Sequence, residues 1–399
     1  MNSRERVRAV LEHRIPDRVP NGLGGCETAG MHMVTYDNLQ KVLGCEYFPP
    51  RLDTFMMNAV FEEHIIRAMD GDIILLDSPR MCRSYLRGNV EDSWKEQALW
   101  GRQFKVPNAV TFLENEDGTV SWGQLICPKG GYYFDHATVT DMTADLVIPD
   151  PERYAPQEEL NETRLRHMEE QAKRIFNETE LCICLGETIH DLQVGPGGMI
   201  NTMMLLLEEP EIMAALLEKS VEVALKQLIQ LDQAVGKYVD ILSIAHDFGD
   251  NRGVMIGEEL WRKIYKPFYK KLFSEWHKIT NMKINLHSCG SIVSIMDDLI
   301  ECGVDIINPV QTAAAGMSAE SLKAQFGDRV IFYGGAYDAQ KISKERTYDE
   351  VYHTVFQNIK ILGKGGNYLF AGVHNLPADM PEQHIRAMMD AYFDARAYS

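Results

Sequence analysis

Short apolar runs recur along this chain, and most give way to a turn and then to apolar positions at helical spacing. Eight runs fit strands: residues 18–24, 71–77, 181–186, 239–245, 282–287, 304–309, 329–335 and 368–373. Met282, Ile284 and Leu286 alternate with polar neighbours, as a strand with two unlike faces requires. Helical spacing covers 3–11 with Ser3 as N-cap, 53–70, 159–176, 199–237 with a break at Glu209-Pro210-Glu211, 258–278 with a kink at Pro267, 292–302, 347–362 and 381–396. Strands alternating with helices predict an α/β protein, a (β/α)8 TIM barrel spanning residues 1–399 as one domain. The structural alternative, a doubly wound open sheet, needs a glycine-rich phosphate turn after its first strand, and Gly22-x-Gly24-Gly25 is a weak match.

From about residue 80 to 136 the pattern changes. Trp94, Phe104, Trp122, Tyr132 and Tyr133 stand among turn signals such as Glu116-Asp117-Gly118, which predicts an inserted, β-rich segment of hairpins. Its aromatics either cap the mouth of a pocket or form a satellite core.

A net charge of -18 disfavours nucleic acid and anionic membrane as partners. Residues 1–6 lead into an amphipathic helix without an apolar leader, and no apolar run reaches the length of a membrane span. Eight cysteines spread through such a chain predict free thiols in a reducing cytoplasm.

A barrel delivers the last residue of every strand to one rim, and chemistry is placed there. On this reading the rim gathers Glu27, Asp77, Glu187, His190, His246, Asp247, His287, Cys289, Asn308, Gln311, Asp338 and His374. His287 and Cys289, two residues apart at a Gly turn, are nitrogen and sulfur donors that suit zinc. His374 is expected to join them from the eighth strand, with Asp247, His246 or Glu187 as a fourth ligand, or with that position open. Each has a bland alternative: His374 bonding its own turn, Asp247 as a helix N-terminal acid, Glu187 facing water. Asn308 and Gln311 supply neutral donors for orienting a substrate.

His287-Ser288-Cys289-Gly290-Ser291, Gly303-Val304-Asp305-Ile306-Ile307-Asn308-Pro309-Val310-Gln311, Phe332-Tyr333-Gly334-Gly335 and Val373-His374-Asn375-Leu376-Pro377 resemble the uroporphyrinogen decarboxylase superfamily. The resemblance runs from about Leu181 onward and leaves out the aromatic insertion. One branch of that superfamily removes carboxyl groups without a cofactor. The other moves methyl groups to or from a corrinoid on a separate protein, using zinc held by His-x-Cys and a distant Cys. The decarboxylases carry an Arg-Gln-Ala-Gly-Arg loop after the first strand, whereas Gly25-Cys26-Glu27-Thr28-Ala29-Gly30 stands here, acidic and without arginine. The resemblance therefore implies the branch typified by methylcobalamin:coenzyme M methyltransferase. It carries zinc, with cobalamin on a corrinoid partner protein, since the chain lacks an Asp-x-His-x-x-Gly corrinoid motif. His374 stands where that branch has its distant Cys, which makes the metal a stronger Lewis acid and bears on the thiol acceptor of the best-known members. Asp247 and Glu187 are then expected to handle protons or ligate. His246, Asn308 and Gln311 are expected to meet substrate. In the competing reading, a cofactor-free decarboxylase of a small carboxylated substrate, Asp77 is the polarising carboxylate.

Overall fold

The computed structural model describes residues 1–54, 56–76, 94–135, 146–156, 159–194 and 198–398. Its centre is one parallel sheet of seven strands: β1 (Ile73–Leu76), β2 (Cys182–Leu185), β3 (Ile241–Ala245), β4 (Lys283–His287), β5 (Ile306–Asn308), β6 (Ile331–Tyr333) and β7 (Tyr368–Leu369). They lie side by side in chain order. Residues 20–22 close the ring between the two edges. Phe370 N–H donates to Pro20 O and Gly22 N–H to Phe370 O on one side, and Asp72 N–H donates to Asn21 O on the other. The protein is thus a curled, TIM-barrel-like α/β fold with an eighth stave of minimal length.

Alternation along the strands separates two cores. Ile73, Cys182, Cys184, Ile241, Ile306, Ile331, Tyr333 and Leu369 share the inner cluster, together with Val7, Val10 and Leu11 of helix Ser3–Leu11, which plugs the lower end. Ile284, Leu286, Leu242, Ile307 and Phe332 belong to the outer cluster beneath the surrounding helices. The polar partners in the Met282–Leu286 alternation therefore face the axis: Asn285 is fully buried and bonds Ser243 Oγ. His287 is the next residue on that face.

Several boundaries differ from expectation. Asn2, not Ser3, caps the first helix, in a capping box with Glu5. The helix expected over 53–70 shrinks to Glu63–Ala68, because Leu52–Asp53 and Asn58–Ala59 pair as a short hairpin. Sequence pattern missed helix Met33–Leu43, whose N-cap is His32. The break at Pro267 is present: helix Glu258–Ile264 ends and Lys266–Ile279 begins with the proline in its first turn.

In the insertion, Trp94–Leu99 pairs with Arg102–Pro107, and Leu113–Glu114, Val120–Trp122 and Leu125–Cys127 form a meander. Phe112, Trp122 and Phe134 pack on one another, while Trp100, Tyr132 and Tyr133 surround the His32 ring. Phe112 belongs to the outer core cluster and Trp100, Trp122, Tyr132 and Phe134 pack against it, so these aromatics extend the outer core and are not a separate satellite. Among the described residues, no helix is long and apolar enough to cross a membrane.

Candidate metal centre

The site begins with strand register. Ala245, His287 and Asn308 stand level on three adjacent strands, β3, β4 and β5. Beyond His287 the chain turns sharply, and the turn is clamped. Ser288 N–H donates to Asn308 O, Ser291 N–H to Asp250 O, and Phe248 N–H to Ser288 Oγ. Gly290 sits at φ +83°, and a Cβ there would come within 2.3 Å of the Gly249 carbonyl carbon. Only glycine lets the two backbones approach so closely.

This turn directs Cys289 Sγ back to 3.3 Å from His287 Nε2. His374 follows β7, and its loop is tied to the first stave by Leu376 N–H donating to Gly30 O and Gly30 N–H to Asn375 Oδ1. From there the side chain reaches across the mouth, and the His374 and His287 rings lie 5.2 Å apart at 75°. One donor atom from each of His287, Cys289 and His374 lies within 4.8 Å of the others. A tetrahedral zinc with bonds of about 2.0–2.3 Å sets its ligands about 3.5 Å apart. The set is therefore within a small closure of that geometry.

The two imidazoles are prepared differently. Asn308 Oδ1 lies 2.7 Å from His287 Nδ1. Asn308 Oδ1 also accepts from Thr28 Oγ1 at 2.7 Å, and Asn308 Nδ2 donates to Tyr333 O at 3.2 Å. That amide orientation puts the ring proton on Nδ1 and leaves the Nε2 lone pair facing Cys289, the arrangement typical of metal-bound histidine. His374 Nδ1 instead accepts from Asn375 N–H at 2.7 Å. This is the bland turn contact that the sequence allowed for, and His374 would join a metal by giving it up. Burial lowers the pKa of both rings, His374 to about 4, so both are neutral, as ligation requires. Burial, with Asp247 nearby, pushes the Cys289 thiol up to about 12. A bound cation would reverse that last shift. The donor set fits zinc.

The remaining expected residues are placed as follows. Asp247 Oδ1 accepts from Cys289 N–H at 2.8 Å and lies 3.8 Å from His287 Nε2, with its side chain 51% exposed. It stands beside the three donors, open to the mouth. Asn308 and Gln311 are turned to the protein rather than to open space. Asn308 is fully buried behind His287. Gln311 Oε1 accepts from Gly290 N–H, and its Nε2 donates to Asn251 Oδ1. Both brace the His287–Gly290 turn. His246 turns outward, its Nδ1 2.7 Å from Tyr269 OH and its ring against Phe248 and Tyr265. Glu187 lies on the β2 loop, where its N–H donates to Glu27 Oε2. His190 is drawn away into a cluster with Tyr154 OH and Ser220 Oγ. Asp77 lies outside the described residues. Thr28 is absent from the sequence-based set. Its one signal was a place in the loop after the first stave, next to the acid Glu27.

A barrel whose mouth brings two imidazoles and a thiol together defines a class of protein built around a candidate metal centre. Residues 194–394 match the uroporphyrinogen decarboxylase (URO-D) family, and the chain belongs to it. A solved structure, a methyltransferase from Methanosarcina mazei, is similar over 99% of this chain and 99% of that chain, with a TM-score of 0.57 and 14% identity. That likeness is one of fold. A dihydropteroate synthase from Xanthomonas albilineans overlaps 38% of this chain and 52% of its own at a TM-score of 0.27 and 16% identity, too little to argue from. No curated protein matches the chain in sequence.

Proposed function

We propose that this protein is a zinc-dependent methyltransferase of a corrinoid system, moving a methyl group between a small-molecule substrate and a cobalamin carried by a partner protein. The observation that carries the reading is the convergence of His287, Cys289 and His374 on one point of the mouth. The family and the Methanosarcina fold neighbour support it. In this reading His287 and Cys289 hold the metal, His374 closes on it, and the fourth position faces substrate. Zinc there supplies a Lewis acid that lowers the pKa of a bound thiol or phenol, or draws electron density from an ether oxygen.

The chain's own groups do the rest. Asn308, backed by Thr28, holds the His287 proton on Nδ1. Gln311 and Asp247 fix the turn that aims Cys289. Asp247 is also an exposed carboxylate beside the donors, 3.8 Å from His287 Nε2, placed to take up or return a proton. Glu187 and Glu27 make the neighbouring rim acidic. A polycarboxylate substrate would meet repulsion there. This disfavours a many-carboxylate substrate; the second reading, which the family description keeps in play, is a cofactor-free decarboxylase of a small carboxylated substrate.

Metal analysis and a transfer assay test the proposal together. About one zinc per chain is expected, lost in a His287→Ala, Cys289→Ala double variant along with methyl transfer from methylcobalamin to a thiol or phenol. Zinc-free protein, or release of carbon dioxide from a small acid that survives the double substitution, would end the methyl-transfer reading.

A further inference from the structure

His374 and Asn375 form a two-residue bridge between fixed points of backbone. Ahead of the bridge, Val373 N–H donates to Tyr337 O and Gly335 N–H to Gly372 O. Behind it, Leu376 N–H donates to Gly30 O and His32 N–H to Leu376 O. The run 30–33 is held in turn by the hairpin of Leu52–Asp53 and Asn58–Ala59, since Ala59 N–H donates to Met31 O and Met33 N–H to Met57 O. Both residues of the bridge are only partly buried.

The Asn375 side chain ties the bridge sideways. Its Oδ1 accepts from Gly30 N–H at 2.8 Å, and its Nδ2 donates to Met56 Sδ at 3.1 Å. Asn58 Nδ2 donates to the same sulfur at 3.8 Å. A Cβ on Gly30 would lie 3.2 Å from Asn375 Oδ1, so glycine gives the amide its room. Both ends of the amide are thus engaged by protein.

The backbone of the same residue holds the imidazole: Asn375 N–H donates to His374 Nδ1 at 2.7 Å. With Nδ1 accepting, a neutral ring carries its proton on Nε2. The ring must therefore leave this donor before it can take a metal. On a tethered backbone that motion needs the side-chain torsions alone. On a loose one, a metal would have to order backbone and ring together, at a larger entropic cost.

We propose that Asn375 is a positioning residue for His374. Through its bonds to Gly30 and Met56 it fixes the loop, so that the imidazole alone swings between Asn375 N–H and the metal. The proposal rests on the reading of His287, Cys289 and His374 as a zinc site and names the residue that governs closure of the third ligand. Asn375 itself neither ligates nor takes part in the chemistry.

A double-mutant cycle of His374→Ala and Asn375→Ala on the full chain tests it, with zinc affinity read by competition against a chromophoric chelator. Asn375→Ala is expected to weaken zinc binding about ten-fold while His374 is present. In the His374→Ala background it is expected to have no further effect, because a residue acting through another contributes nothing once that other is gone. With cobalt(II) in place of zinc, the visible absorption of Asn375→Ala is expected to shift toward that of His374→Ala, which a mere loss of stability does not produce. Met56→Leu, at a partly exposed position, removes the sulfur end of the tether. It is expected to move the affinity the same way by a smaller factor, and it takes over the cycle where Asn375→Ala does not fold. Equal losses with and without His374, or an affinity unchanged by the substitution, overturn the proposal and leave the zinc site standing. Undiminished zinc binding in His374→Ala overturns the assignment of His374 as a ligand, and the proposal with it. Zinc-free unsubstituted protein overturns the metal reading as a whole.

Discussion

Asn308 shows what one buried side chain does for this site. A metal-facing imidazole needs its proton on the far nitrogen, and Asn308 Oδ1, shared between His287 Nδ1 and Thr28 Oγ1, provides the acceptor. Removing such a partner typically costs 10–100-fold in metal affinity. Asn308→Ala is therefore expected to weaken zinc binding about 10–100-fold, read by competition with a chromophoric chelator. Asn308→Asp keeps an acceptor at the same place and is expected to restore most of the affinity. An unchanged affinity in the alanine variant would assign Asn308 to substrate, as its residue type alone suggested. Sequence reading expected Asn308 and Gln311 to meet substrate, and the structure turns their amides to His287 and Gly290. A strand end specifies where a residue sits, while the direction of an amide depends on neighbours more than twenty residues away.

At the scale of elements, two loops show function and stability sharing the same atoms. The His287–Gly290 turn closes against residues 249–250 only because Gly290 has no Cβ. Gly290→Ala must move one backbone or the other and is expected to cost about 1–3 kcal/mol, with partial loss of bound zinc as Cys289 shifts. Denaturant unfolding and metal analysis measure the two effects separately. Helix Met33–Leu43 depends on His32, whose Nδ1 accepts from Val34 N–H while its Nε2 lies 3.1 Å from Tyr132 O. Burial holds this ring at a pKa of about 4, below the value near 6.5 of an unfolded histidine. The unfolded chain thus takes up the proton first. The contribution of His32 is complete above about pH 6.5 and is lost as the pH falls toward 4, by about 3 kcal/mol. His32→Gln is expected to flatten the fall in stability over that window, as urea midpoints at pH 7 and pH 5 would show. The helix itself escaped detection from pattern because its cap is a histidine, outside the usual Ser, Thr, Asp and Asn signals.

Closure of the barrel is a property of the whole molecule. The first stave, which completes the ring of eight, is only residues 20–22, so the seam gains little from backbone pairing and is reinforced from below. Asp72 is fully buried, 2.7 Å from both Arg6 NH1 and Arg18 NH1, and accepts from Asn21 N–H. One carboxylate thereby joins the plugging helix, the first stave and β1. Breaking a buried ion pair costs about 3–5 kcal/mol, and although Arg6 keeps Asp17, Arg18 loses both of its bonds to Asp72. Asp72→Asn is expected to lose that much in urea unfolding, far more than a change at an exposed pair such as Arg14–Glu12. A loss below 1 kcal/mol would show that the seam is held by packing alone.

Much of this protein was determined by local pattern. Apolar alternation set the strands, helical spacing set most of the helices between them, and their order made a barrel, because parallel strands joined by helices have few other ways to bury both faces. The order of strands also placed His287, Cys289 and His374 on one rim. Tertiary structure alone decided the remainder: that His374 crosses the mouth while still bonded to Asn375, that His246 turns outward to Tyr269, and that a cleft lined by Met203, Phe248 and Tyr265 opens beside Asp247. Those outcomes depend on side-chain directions set by contacts between residues far apart in the chain. Periodicity reports which face of an element is buried, not what it is buried against.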